Sequence, residues 1–186
     1  MNLDDFREDL INEIKAQSQI EGIYDVEAFI EYCKDILIND FGIISDLENT
    51  FVEYKTKNPQ YRNMRLDASY LELSLNTIHL LYSDFNDGDI YPINNEFIKQ
   101  KTTYMVNFFY NALKGYFKQS AESDSTTQMA RDIVKNISAI KKLHLIIIST
   151  NKKSDRLKTT IGLKPINIGN IEFNIDLTLL DIEGIF

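Results

Sequence analysis

Cysteine, proline and tryptophan are scarce in this chain: one Cys, three Pro and no Trp among 186 residues. A single Cys33 excludes an internal disulfide framework and a cysteine metal cluster, and its place in a helical pattern reads as a buried thiol. The two histidines, His79 and His144, fall inside β-like runs and at no metal-ligand spacing with Cys33. Both read as packing residues with a satisfied ring nitrogen. Seven scattered glycines build no phosphate-cradling loop, which counts against ATP or dinucleotide binding, and no Gly-x-Ser-x-Gly elbow is present. Apolar runs such as Leu143 to Ile148 fall far short of the roughly 20 residues of a membrane-spanning helix. The acidic start Asp4, Asp5, Glu8, Asp9 is unlike a signal peptide, so no membrane partner and a cytoplasmic location are expected.

What the chain does have is 44% hydrophobic and 11% aromatic residues, enough for one sizeable core and a single domain over 1–186. Its charge is unevenly spread. Residues 1–96 carry seven Lys/Arg against 20 Asp/Glu, residues 97–170 carry 13 against four, and residues 171–186 add four acids. The net −8 counts against nonspecific coating of nucleic acid, whereas the basic segment allows an anion-facing surface. Two differently solvated faces are the competing explanation.

Leu3, Phe6, Leu10 and Ile14 recur at helical spacing, and Val26, Phe29, Ile30, Cys33, Ile36 and Leu37 repeat the pattern after a capping Asp25. Strands are predicted over 49–56, from Met64, and over 77–85, the last closed by Asn86-Asp87-Gly88-Asp89. A helix capped at Asn94 or Asn95 runs to Lys118, a Ser/Thr/acid linker covers 120–127, and a further helix 128–140. Leu143 to Thr150 reads as a central strand buried on both faces. A short helix from Ser154, a strand over 171–177 and a helix over 178–185 complete the order. This is a mixed α/β layout best buried as a three-layer sandwich. The helix opening at the very end, with no polar tail, leads us to expect a fragment of a longer protein.

Asp is a poor strand former, so Asp67 and Asp84 stand out. Carboxylates from adjacent strands can hold Mg²⁺, a hard cation whose remaining ligands a phosphodiester supplies. The 17-residue spacing fits a strand, a turn and a strand. Glu27 and Glu31, one turn apart on a helix face, are candidates for a third acid. Strand-end acids that cap or face water are the alternative reading of the two aspartates, and a merely solvent-exposed pair that of the two glutamates.

Taken in order, Leu3-Asp4-Asp5-Phe6, the helix Asp25 to Leu37, Arg65-Leu66-Asp67-Ala68-Ser69-Tyr70, Leu80-Leu81-Tyr82-Ser83-Asp84-Phe85-Asn86, Leu145 to Thr150, Ser154-Asp155-Arg156 and Ile171-Glu172-Phe173 resemble the N-terminal domain of AIPR proteins, bacterial factors of abortive infection and phage resistance. The resemblance implies a restriction-endonuclease-like (PD-(D/E)xK-type) core, a four-stranded mixed sheet with flanking helices. It implies catalytic roles for Asp67 and Asp84, with Glu27 or Glu31 as the helical acid and Mg²⁺ or Mn²⁺ held by Asp67, Asp84 and Glu27. The position of the motif's lysine is Asn86. An amide cannot take a proton at neutral pH, so activity is in question, with Lys99 or Lys101 as substitutes.

The expected function is therefore a nuclease-like domain of an antiphage protein, cleaving or gripping DNA or RNA. The alternative is a noncatalytic sensor or assembly module that recognises a phage component and regulates a C-terminal region. Dimerisation through the helical layer is a third expectation. If nucleic acid is the ligand, Lys152, Lys153 and Arg156, at the carboxyl edge of the central strand, are the expected phosphate contacts.

Overall fold

The computed structural model describes residues 2–42, 47–55, 58–120, 124–157 and 163–186. Two helices, α1 (Leu3–Glu21) and α2 (Asp25–Phe41), precede three strands, β1 (Glu48–Tyr54), β2 (Met64–Glu72) and β3 (Thr77–Asp84). After β4 (Pro92–Ile93) come α3 (Asn95–Leu113) and α4 (Ser125–Asn136), then β5 (Lys142–Ser149), β6 (Lys152–Lys153), β7 (Ile166–Ile168), β8 (Ile171–Leu180) and α5 (Ile182–Ile185). The expected mixed α/β class is what the structure has.

The main sheet has six strands in the order β1-β2-β3-β5-β8-β7. The first three pair antiparallel, β3, β5 and β8 pair parallel, and β7 closes the far edge antiparallel. Side chains alternate across a strand, and the alternation divides two cores. Ile78, Leu80 and Tyr82 of β3 and Leu143, Leu145 and Ile147 of β5 pack with α3 and α4. Leu81, Ile146 and Ile148 pack with α1, α2 and α5 on the opposite face. The buried apolar run of β5 is thus the covered central strand that its composition predicts. At the β1 edge, Ser125 and Thr126 of α4 donate hydroxyl hydrogen bonds to the carbonyls of Asn49 (2.9 Å) and Phe51 (3.3 Å). The edge is thereby blunted against pairing with another chain.

Several boundaries differ from the sequence reading. The segment 178–180 continues β8, because Thr178 and Leu180 extend the parallel register against Ile146 and Ile148, so the last helix is only the four-residue α5. The linker over 120–127 is shorter than expected: Asp124 accepts the Thr127 amide at 3.0 Å and starts α4 at Ser125. Instead of a helix from Ser154, the described residues to Leu157 form a turn closed by Leu157 N–H on the Ser154 carbonyl at 2.8 Å. Thr56, residues 121–123 and Lys158 to Gly162 lie outside the described residues.

The histidines end in a chain of hydrogen bonds that crosses four strands. Glu72 Oε2 stands 3.2 Å from His79 Nε2, His79 Nδ1 3.0 Å from His144 Nδ1, and His144 Nε2 2.8 Å from Thr178 Oγ1. A carboxylate only accepts, so neutral rings fit one arrangement: Thr178 donates to His144, His144 to His79, and His79 to Glu72. Burial lowers the pKa of both rings, that of His144 to about 4, with His79 and Lys142 adding to the depression. Between pH 6.5 and about 4 the unfolded chain therefore binds protons that the folded chain refuses, and stability falls as pH falls. Urea unfolding at pH 7 and pH 4.5 is expected to differ by up to about 3 kcal/mol from His144, and a His144→Asn variant to show a shallower slope.

Candidate active site

The β2–β3 ladder runs from Glu72↔Thr77 to Ala68↔Leu81 and there gives way to side chains. Asp67 Oδ2 accepts the Ser83 amide at 2.7 Å, in the place of a backbone partner. Its Oδ1 accepts Arg65 Nε at 3.2 Å, and the same guanidinium reaches the Tyr82 hydroxyl and the Ser83 carbonyl, both at 3.1 Å. Arg65 also lies over the Tyr82 ring, 4.5 Å from its centroid. One cation thus ties β2 to β3 around a carboxylate that is only 2% exposed. Burial raises the Asp67 pKa, against the downward pull of Arg65 and the Ser83 amide.

Asp84 closes β3 at the carboxyl edge of the parallel strands. Its Oδ1 accepts the Tyr91 hydroxyl at 2.7 Å, and its Oδ2 accepts Ser149 Oγ at 2.6 Å and Asn151 Nδ2 at 3.0 Å. Burial, then the bond to Asp84, raises the Tyr91 pKa and keeps that hydroxyl a donor. Asn86, at the expected lysine position, is committed to the loop. Its Nδ2 donates to the Asp89 carbonyl (2.8 Å) and Asn151 Oδ1 (3.1 Å), and its Oδ1 accepts the Gly88 amide (3.2 Å). Buried Arg7 of α1 pins the same loop, donating to the carbonyls of Asn86 (2.7 Å), Gly88 (2.9 Å) and Thr150 (2.8 Å).

Of the two lysines expected to substitute at position 86, Lys101 of α3 is the one that lies against the β3 side chains. Lys101 Nζ sits 4.9 Å from the centroids of both Tyr82 and Phe97. Burial lowers its pKa, and the strongest opposing influence is Asp84, with Asp67 also pulling upward. Lys99 is exposed on another face of the helix. Of the two helical acids, Glu27 lines a cavity of about 410 Å³ together with Asp67, Tyr24, Val26, Ile30 and Phe51. Glu31 instead takes Lys34 Nζ at 2.6 Å. Lys152 and Lys153, paired as β6 with β4, meet Glu183 at 2.8 Å and Asp181 at 3.8 Å. Arg156 is exposed beyond them.

Among the described residues no group of three His, Cys, Asp or Glu side chains is placed to hold a metal ion. The two aspartates offer the hard oxygens that Mg²⁺ takes, which fits an ion held by one or two carboxylates and completed by water and substrate phosphate. Ser83, between Tyr82 and Asp84, has a buried Oγ without a partner among the described residues. Arg65, Tyr91, Ser149 and Asn151 were not singled out from the sequence. Only Arg65 carries a signal there, as a cation two strand positions from Asp67. Replacing Asp67 by Ala leaves Arg65 Nε and the Ser83 amide without their acceptors, and is expected to lower the unfolding free energy by about 3 kcal/mol in urea titrations. Asp67→Asn keeps one acceptor and loses less.

No curated protein and no solved structure matches this chain. A family model does match, from within α2 to the last residue, 29–186, and its description is the abortive infection phage resistance protein N-terminal domain. The match covers well over half of the chain and includes both aspartates, β3, β5 and Lys101, so the chain belongs to the AIPR_N family, the N-terminal domain of abortive infection phage resistance proteins.

Proposed function

We propose that this domain is a metal-dependent nuclease-like unit of an antiphage protein, acting on DNA or RNA at Asp67, Asp84 and Lys101. The single observation that carries the reading is the position of Lys101, a partly buried amine from α3 whose Nζ lies 4.9 Å from the ring of Tyr82, the residue that Arg65 of the Asp67 clamp also contacts and that stands two places before Asp84. It makes up an acid, acid and lysine set although Asn86 stands at the expected lysine position. The order α2, β1, β2, β3, α3, β5 and the mixed sheet support a restriction-endonuclease-like core.

In this reading Asp67 and Asp84 would hold Mg²⁺ or Mn²⁺, which when bound supplies Lewis-acid activation of a phosphodiester. The chain's own groups do the rest. Arg65 holds Asp67 in place between the strands. Tyr91, Ser149 and Asn151 fix the Asp84 carboxylate with three hydrogen bonds, so its orientation does not depend on solvent. Lys101, with a pKa lowered by burial, can orient a phosphate as a cation or pass a proton as an amine. Glu27 lines the same cavity as Asp67, with its Oε2 accepting the Tyr24 amide at 2.9 Å.

A second reading, a noncatalytic sensor or assembly module, is favoured by one specific observation: every oxygen of Asp67 and Asp84 already accepts a hydrogen bond from the protein. Calorimetric titration of Mg²⁺ and Mn²⁺, with cleavage assays on DNA and RNA, separates the two. The nuclease reading expects metal binding by the wild type that Asp84→Asn abolishes, and a Lys101→Met variant that still binds metal but cleaves at least about 100-fold more slowly. A folded wild type that binds neither ion contradicts it and leaves the noncatalytic module.

A further inference from the structure

The basic segment 97–170 presents cations on several surfaces, and the structure sorts them by whether a carboxylate already answers them. Lys152 faces Glu183 at 2.8 Å, Lys153 faces Asp181 at 3.8 Å and Lys142 faces Asp176 at 2.9 Å. Lys101 is turned toward aromatic rings and the candidate acids. Lys99 and Lys164 have no carboxylate at ion-pair distance among the described residues, as is also true of Lys114, Lys118, Lys135, Lys141 and Arg156, but these two come together with Arg62 from the loop before β2. All three are exposed and meet around one groove of about 250 Å³. Its floor, between α3 and the β7–β8 edge, includes Leu145, Val106 and Ile175. The Arg62 guanidinium is stacked on Tyr110, 3.9 Å from the ring centroid, which orders it at the rim.

We infer that this groove, rather than the Lys152, Lys153 and Arg156 cluster, seats the phosphates of a nucleic-acid strand that runs to the candidate site. The inference rests on the proposed nucleic-acid reading and names the surface that reading requires. An apolar floor under a cationic rim suits a sugar-phosphate backbone, whose sugars cover the floor while the phosphates meet the cations. The placement fits as well. Phe97, Lys101 and Tyr104 form one flank of α3 and Lys99, Thr103 and Val106 another, on either side of the buried stripe Ile98, Thr102 and Met105. One helix body, roughly 10 Å across, separates the flanks. With one phosphate per about 3.4 Å of duplex axis on each strand, a duplex strand engaged at Lys101 reaches the groove about three nucleotides away. Apart from Arg62 and the other six cations, residues 1–96 carry 20 acids, which disfavours a polyanion over the rest of that half.

The test is fluorescence anisotropy with fluorescein-labelled single-stranded DNA, single-stranded RNA and duplex DNA, in EDTA, across a series of NaCl concentrations. Wild type, Lys99→Glu/Lys164→Glu and Lys152→Glu/Lys153→Glu are compared, each checked for folding by circular dichroism, with Lys99→Gln/Lys164→Gln as a milder pair. The groove variant is expected to lose at least about tenfold in affinity and about two units of the salt slope, and the β6 variant to stay within about threefold of wild type. Wild-type affinity and slope in both groove variants overturn the inference while leaving nucleic-acid binding in place. A wild type that ignores all three nucleic acids but binds polyglutamate through Lys99 and Lys164 overturns the inference and the nucleic-acid reading together.

Discussion

The guanidinium of Arg65 is the contact on which the geometry of the candidate site depends. Where the β2–β3 ladder ends, one planar cation reaches the Asp67 carboxylate, the Tyr82 hydroxyl and the Ser83 carbonyl at once. A fork of fixed donors can satisfy three acceptors in different directions, which a lysine ammonium on a flexible stem does less specifically. Without it, a carboxylate as buried as Asp67 would be an uncompensated charge, and the end of β3 that carries Asp84 would lose a tie to its neighbour. Asp67 therefore owes its position to this clamp, and the strand that carries Asp84 gains a tie to its neighbour from it.

On the other side of β3 the support is of a different kind. Asp84 is held by neutral donors, Tyr91, Ser149 and Asn151, and the loop that follows is locked by Arg7 reaching across from α1. The helical layer on one face thus fixes a loop at the carboxyl edge of the sheet, while α3 on the other face carries Lys101 to the ring of Tyr82. That edge is where open α/β sheets place their ligands. Family membership sets the biological context, abortive infection and phage resistance, and the chemistry proposed for the domain stands on these side chains.

Much of this was legible in the sequence, and the parts that were not share a cause. The stripes of α1 and α2, the buried run of β5 and the two aspartates out of place in strands follow from local periodicity and propensity. The two- and three-residue strands β4, β6 and β7 are too short to have a period, and the end of β8 could be read as strand or helix until its pairing with β5 was seen. Side-chain choice was harder still. Lys99 and Lys101, or Glu27 and Glu31, are equivalent as letters. Only the rotation of α3 and α2 against the sheet sets Lys101 beside Tyr82 and brings Glu27, whose Oε2 accepts the Tyr24 amide at 2.9 Å, to the wall of the cavity that Asp67 also lines. In the same way Asn86 occupies the expected lysine position, and its bonds to Asp89 and Asn151 show it serving the loop.

The central claim is that Asp67, Asp84 and Lys101 form one electrostatic unit, and the titration of the Lys101 amine tests it without knowledge of any substrate. Nuclear magnetic resonance of the side-chain ammonium, in wild type and in Asp84→Asn, reads that pKa directly. The account predicts a wild-type value below that of an ordinary lysine, set by burial, and a further fall in the variant once the upward pull of Asp84 is removed. An ordinary lysine titration that is the same in both proteins would place Lys101 in solvent, apart from the acids, and contradict it.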